Sequence, residues 1–303
     1  MDLTLALAGL GVGIIVGMTG MGGGALMTPI LVLVFGIPPV AAVSSDLAAS
    51  AVMKPFGGWV HARRGTVNWP LVGWLCAGSV PSAFLGVLLL RLLGDDAAMQ
   101  EAIKVALGVA LLLAAGGLLL KAWALDWRPA AGPPEPITIR PVPTMLLGAA
   151  GGLVVGLTSV GSGSLIIVLL LVLYPKLRVN DLVGTDLVQA VPLVMAAALG
   201  HALFGDLQLD IAGAVLVGSI PGVLIGARIS SRAPAGVVRS ALVVVLLASA
   251  LKLLGASTAL VGVVTGVAIV AAVAVAAAQA RRPTPAPSGD LGVAVGDKTG
   301  VPS

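Results

Sequence analysis

Residues 69–90 pass without a single charged side chain, and residues 106–120 do the same. A helix rises about 1.5 Å per residue, so about 20 apolar residues cross a hydrocarbon core of roughly 30 Å. Runs of this kind dominate the chain: 58% of its 303 residues are hydrophobic and 10% are charged. Mean hydropathy is +1.10, and the charges gather between the apolar blocks. These observations exclude a soluble globular domain and predict an all-α polytopic membrane protein. An outer-membrane barrel would instead show alternating strands of about ten residues, a pattern the sequence lacks.

Other features narrow the class. Met1-Asp2-Leu3-Thr4 has no basic n-region, so the first apolar segment reads as retained rather than cleaved. Cys76 stands alone and reads as a small packing residue, unable to form an intrachain disulfide. No Cys/His cluster suggests a metal, and no cofactor is expected. The net charge of +4 comes from Lys and Arg at span ends, where topology requires them, and so gives no reason to expect nucleic acid. The expected partners are the lipid bilayer and a small anionic substrate, with a homo-oligomer left open. With no phosphate-binding loop, energy must come from a gradient or a separate partner.

One stretch conflicts with uninterrupted helix. Gly20-Met21-Gly22-Gly23-Gly24 separates two apolar segments, residues 3–18 and 25–35. Each glycine inside a helix costs about 1 kcal/mol relative to alanine, so the span is built to break there. Sliding the chain along itself by about 140 residues uncovers a second copy. Gly17 to Leu26 lies over Gly156 to Leu165, and Ser45-Asp46-Leu47 over Thr185-Asp186-Leu187. In the latter frame His61 meets His201, Gly65 meets Gly205, and Gly78-Ser79-Val80-Pro81 meets Gly218-Ser219-Ile220-Pro221. An ordered series in one frame is the signature of an internal repeat.

Each half then has one plan. An apolar segment (3–18; 143–157) meets the break, a short one follows (25–35; 164–174), and three spans come next. Those spans are expected near 40–60, 69–91 and 101–123, and again near 181–202, 210–228 and 236–254. A further span near 257–279 has no counterpart. The expected domains are a first transmembrane repeat at 1–125 and a Pro-rich cytoplasmic linker at 126–142. A second, inverted repeat at 143–255, an additional helix at 256–280 and a disordered cytoplasmic tail at 281–303 follow.

Charge decides how the short segments run. If each break turns the chain back as a re-entrant hairpin, Arg63, Arg64, Lys121, Arg128, Arg140, Lys176, Arg178, Arg228, Arg232, Arg239, Arg281 and Arg282 share one side. The other side keeps Arg91, Lys104 and Lys252, with Asp95, Asp96, Asp206 and Asp210. The positive-inside rule selects the hairpin. Two arms and three spans per half make an odd number of membrane passages, so the second half enters inverted. The expected architecture is an inverted 5+5 repeat with two glycine-broken re-entrant hairpins and an eleventh helix. Its N-terminus lies outside and its C-terminus in the cytoplasm of a bacterial-type inner membrane. Inverted repeats with broken helices suit alternating access around a midplane site.

A break frees the first N–H groups of the helix that restarts, and these carry partial positive charge suited to an anion. Glycine lets a ligand approach the backbone. The competing reading is close helix packing through small residues. The candidate substrate site comprises Thr19, Gly20, Met21, Gly22, Gly23 and Gly24 at the first break. The second break contributes Ser159, Gly161, Ser162, Gly163 and Ser164, and the following spans contribute Ser45, Lys54, Thr185 and Gln189. Lys54 either reaches this site or snorkels to the interface. Asp46 and Asp186 either cap helices or carry a coupling ion. His61 and His201 should lie near opposite faces as interfacial anchors rather than as a relay.

The motif G-x-x-G-x-G-G-G-x-L-x-x-P from Gly17 to Pro29, the following Ser45-Asp46 and their degenerate second copies resemble the TauE/SafE sulfite exporter family over nearly all of residues 1–255. The resemblance implies secondary transport, usually outward, of small sulfur-containing anions such as sulfite, sulfoacetate or other organosulfonates. The second copy departs from the motif at Gly161-Ser162-Gly163-Ser164 and lacks a counterpart to Pro29. A glycine-lined anion channel is the alternative. An intramembrane enzyme is disfavoured, because no nucleophile or metal pair converges within the apolar spans.

Overall fold

A computed structural model describes residues 2–19, 23–93, 97–127, 137–204, 207–229 and 235–280. Gly20, Met21 and Gly22 of the first break, the acidic Asp95, Asp96 and Asp206, most of the linker and the tail beyond Ala280 lie outside the described residues.

Eleven helices and no strand occur among the described residues. The first half holds α1 (Leu3–Thr19), α2 (Gly24–Leu33), α3 (Pro39–Arg63), α4 (Trp69–Leu93) and α5 (Ala97–Trp127). The second holds α6 (Pro141–Thr158), α7 (Leu165–Leu173), α8 (Val179–Phe204), α9 (Leu209–Ile229) and α10 (Ala235–Leu253), followed by α11 (Thr258–Ala280). Every apolar segment read from the sequence is a helix. The two segments after the breaks are short, with 10 residues in α2 and 9 in α7. At about 1.5 Å per residue neither reaches across a hydrocarbon core.

Five helices are long and apolar enough to cross a membrane: α4, α5, α6, α8 and α9. This is a multi-pass, all-helical membrane protein. α3 has the length but not the hydropathy, since Ser44, Ser45, Asp46, Ser50 and Lys54 interrupt its apolar surface. All five are buried, so α3 turns its polar side chains into the protein and away from lipid.

The helices pack in reciprocal pairs. α1 lies along α9 as α6 lies along α4; α2 touches α10 as α7 touches α5; α3 meets α8, α5 meets α10, and α11 packs on α10. Glycine brings the first two pairs close. A Cβ on Gly218 would stand 1.8 Å from the Ala6 carbonyl oxygen, and one on Gly222 or Gly226 would meet Leu10 or Ile14 backbone. Likewise a Cβ on Gly78 would stand 1.9 Å from the Met145 carbonyl oxygen, and Gly148, Gly152 and Gly156 press on Leu75, Ser79 and Ala83 backbone. Lipid tails supply no hydrophobic drive for helix association, so such close van der Waals contact is what holds these pairs. The four-residue spacings Gly9-Gly13, Gly148-Gly152-Gly156 and Gly218-Gly222-Gly226 are legible in the sequence as small-xxx-small faces.

Candidate functional site

The second break is a tight irregular turn. Ser159 closes α6 in the left-handed conformation (φ 59°), its amide donating to the Val155 carbonyl at 2.7 Å. Gly161 (φ 128°) and Gly163 (φ 94°) also take backbone angles that side chains disfavour. The chain then restarts at Ser164, whose hydroxyl makes no capping bond to α7. At the first break Gly23 precedes α2 with ordinary right-handed angles (φ −60°, ψ −27°), again without a side-chain cap. A positive φ at Gly23 is therefore not what the break requires. The crowded glycine is its neighbour: a Cβ on Gly24 would stand 2.1 Å from the Ser159 carbonyl oxygen and 2.8 Å from Asp46 Oδ2. The two breaks meet backbone to backbone.

Around that meeting point lies a buried polar cluster. The Ser159 hydroxyl donates to Asp46 Oδ2, with Thr28 of α2 close to the same carboxylate. Lys54 Nζ donates to the Ser162 hydroxyl, and its charge acts on both Asp46 and Asp186. Gln189 Nε2 donates to Asp186 Oδ1 at 3.0 Å, while Ser79 of α4 donates to Gln189 Oε1 at 3.2 Å. The Cys76 thiol lies against the Gln189 carbonyl at 3.9 Å. Asp186, Gln189 and Ser79 are fully buried, Asp46 is 2% exposed and Lys54 is 8% exposed. A charged group inside a membrane helix costs roughly 2.5–3.5 kcal/mol to insert, so three ionisable side chains buried together make this cluster the candidate site.

Several expectations change here. Lys54 does not snorkel, because its ammonium is spent on Ser162 inside the protein. Neither aspartate caps its own helix: α3 starts at Pro39 and α8 at Val179, well upstream of Asp46 and Asp186. Asp46 lies instead beside the start of a different helix, α2. Ser45 and Thr185 bond away from the breaks: Ser45 donates to the Gln208 carbonyl at 3.5 Å, and Thr185 accepts from the Asn68 amide at 3.0 Å. These two contacts are mirror images, since Asn68 and Gln208 occupy matching places ahead of α4 and α9. Thr19 bonds back to the Ile15 carbonyl at 2.8 Å. His61 Nδ1 lies 2.9 Å from the Thr66 hydroxyl at the end of α3. His201 is no interfacial anchor: it is fully buried, with Nε2 3.3 Å from the Gly156 carbonyl oxygen. The sequence reading missed Thr28 and Ser79, although Ser79 sits in the repeated Gly-Ser-x-Pro quartet.

The surface ends of the helices carry ordinary charge pairs. Arg178 donates to both oxygens of Asp181, at 2.8 and 3.2 Å, and this carboxylate holds the guanidinium pKa above its usual value. The Thr4 hydroxyl and amide, both bonded to Asp2, hold that carboxyl below the usual range.

Two relatives from Bacillus subtilis (strain 168) resemble this chain. A protein described as probable membrane transporter protein YjnA is 40% identical over 257 residues, covering 84% of this chain and 100% of that protein. Probable membrane transporter protein YdhB is 26% identical over 231 residues, covering 76% and 91%. No solved structure matches. The family model described as sulfite exporter TauE/SafE matches residues 5–253, which span both breaks and the whole buried cluster. The chain therefore belongs to the TauE/SafE sulfite exporter family of membrane transporters.

Proposed function

We propose that this protein is a secondary carrier that exports small sulfur-containing anions such as sulfite, sulfoacetate or other organosulfonates. The observation that carries the reading is the buried Lys54 ammonium bonded to Ser162 in the second break, beside a helix start that no side chain caps. An ammonium, a hydroxyl and free backbone N–H groups are donors an oxyanion can share. Gly23, Gly24, Ser159, Gly161, Ser162, Gly163 and Ser164 would meet the anion from both breaks, and Gln189 stands behind Lys54 through Asp186.

Alternating access follows from an inverted 5+5 arrangement, which the reciprocal packing of α1 on α9 and α6 on α4 supports. In this reading α1–α2 and α6–α7 are re-entrant hairpins, the N-terminus is outside, and the C-terminus is cytoplasmic. Counterflow in proteoliposomes tests the function: external unlabelled sulfite or sulfoacetate should drive saturable uptake of the labelled anion. Conductance far above carrier turnover would replace the carrier with a channel. Cysteine labelling in a Cys76-free background tests the topology. Positions Arg64 and Lys176 should label from the cytoplasmic side, and labelling from opposite sides would remove the hairpins and the inversion together.

A further inference from the structure

The charge count of the buried cluster does not balance. Two carboxylates, Asp46 and Asp186, face one ammonium, Lys54. Adding an oxyanion would leave at least three negative charges against one positive charge in a low-dielectric interior, where an uncompensated charge is heavily penalised. Asp46 also stands where the oxyanion is drawn: its Oδ2 lies beside Gly24, at the positive end of α2. The carboxylate of the chain itself already occupies one of the two helix starts. Building on the anion-carrier reading above, we infer that the substrate anion loads together with one proton, and that Asp46 is the residue that takes it.

The hydrogen-bond partners distinguish Asp46 from Asp186. Ser79 donates to Gln189 Oε1, so the amide must present Nε2 to Asp186, and Oδ1 is held as an acceptor. Ser79 is thus a positioning residue acting through Gln189. Asp46 is bonded to the Ser159 hydroxyl, which can accept as readily as it donates. A proton taken from solvent onto Asp46 therefore reverses one hydrogen bond and releases the Ser159 hydroxyl hydrogen for a new acceptor. The step is simple: a carboxylate becomes a carboxylic acid, its O–H donates to Ser159 Oγ, and one negative charge leaves the helix start as the anion arrives.

Among the described residues, the charged groups of the cluster around Asp46 are Lys54 and Asp186. On α3 itself the charged neighbour is Lys54, α8 presents Asp186, α2 presents Thr28, and the second break presents Ser159. Of the other helices against α3, α9 carries an exposed Asp210 in its first turn, and α5 carries Lys104 paired with Glu101 at 3.2 Å on an exposed face.

The test is isothermal titration of the purified full-length protein with sulfoacetate, which has no group titrating near neutrality. Runs in sodium-free buffers of different ionisation enthalpy count the protons. The wild type should take up close to one proton per anion, and Kd should weaken about tenfold per pH unit as the pH rises. Asp46→Asn should abolish both the uptake and the pH dependence. Should Asp46→Asn fail to fold, the wild-type proton count alone still decides whether a proton enters, and Asp46→Glu then serves as the titratable variant. Binding without proton uptake, binding that needs sodium instead, or undiminished uptake in Asp46→Asn would each overturn the proton inference while leaving the anion carrier standing. If neither sulfoacetate nor sulfite binds at all, the carrier reading fails and takes this inference with it.

Discussion

At the first break Asp46 leans a carboxylate on the start of α2; at the second, Lys54 holds Ser162 ahead of α7. The two halves pack their helices in reciprocal pairs, yet the chemistry at the two breaks is opposite in sign. In the repeat frame Lys54 corresponds to Val194, Ser159 to Gly20, and Gln189 to Ala49. Of the polar groups in the cluster, Lys54, Ser159 and Gln189 are thus present in one half and missing from the other, while Ser79 recurs as Ser219. A symmetric fold can swing about a centre, but a symmetric charge distribution would give a small anion no preferred orientation. Helix packing is what the two halves have in common, and the side chains at the breaks are what tells them apart.

The largest effect that would break this comparison comes from Gly24→Ala. Its methyl must overlap the Ser159 carbonyl, so the two breaks would be forced apart. Overpacking of this kind costs about 3 kcal/mol or more when only backbone can give way. The melting temperature should fall sharply, whereas Gly23→Ala, whose Cβ would make ordinary 3.8 Å contacts, should melt close to wild type. Equal melting temperatures would mean the breaks do not touch.

Lys54→Met comes next. It removes the ammonium but keeps much of the stem, and should weaken anion binding by about 2 kcal/mol, roughly thirty-fold in Kd. Titration calorimetry on monodisperse protein reads this directly; an unchanged Kd would place the anion elsewhere. Gly163→Ala probes the second break's backbone. With φ at 94°, a side chain there should cost about 1–2 kcal/mol of stability, visible as a lowered denaturation midpoint. A neutral result would show that the turn relaxes freely. The smallest effect belongs to Ser162→Ala, which deletes one hydroxyl and should cost about 1 kcal/mol in anion affinity. A loss as large as that of Lys54→Met would make the hydroxyl, rather than the ammonium, the principal contact.

Much of the fold was legible because each helix is an apolar run ended by glycine, proline or charge. The two breaks were legible for the same reason, since glycine clusters cannot be explained by helix propensity. What the sequence concealed is tertiary. Gly23 and Gly24 are indistinguishable in a run of glycines until Ser159 arrives from the other half and crowds only one of them. His201 looks interfacial by its place near a helix end, yet it is fully buried, with Nε2 against the Gly156 carbonyl of α6. Of the two alternatives for Asp46, capping of its own helix could be set aside from the sequence: Pro38-Pro39 sets the start of α3, because proline is favoured in the first helical turn, and an N-cap cannot lie so far downstream.

The glycine faces of α1 and α9 carry a consequence for how the chain is made. Gly9 waits for Val215 and Ala6 for Gly218, so α1 cannot find its partner until most of the protein has been synthesised. At ribosomal speeds of about 5–20 residues per second, α1 stands alone in the bilayer for roughly 10–40 s. α4 and α6 face a wait about a third as long, because Gly78 meets Met145. Assembly therefore proceeds from the middle of the chain outward. The N-terminal helix waits longest for its main partner, and during that interval its glycine stripe is left uncovered by α9.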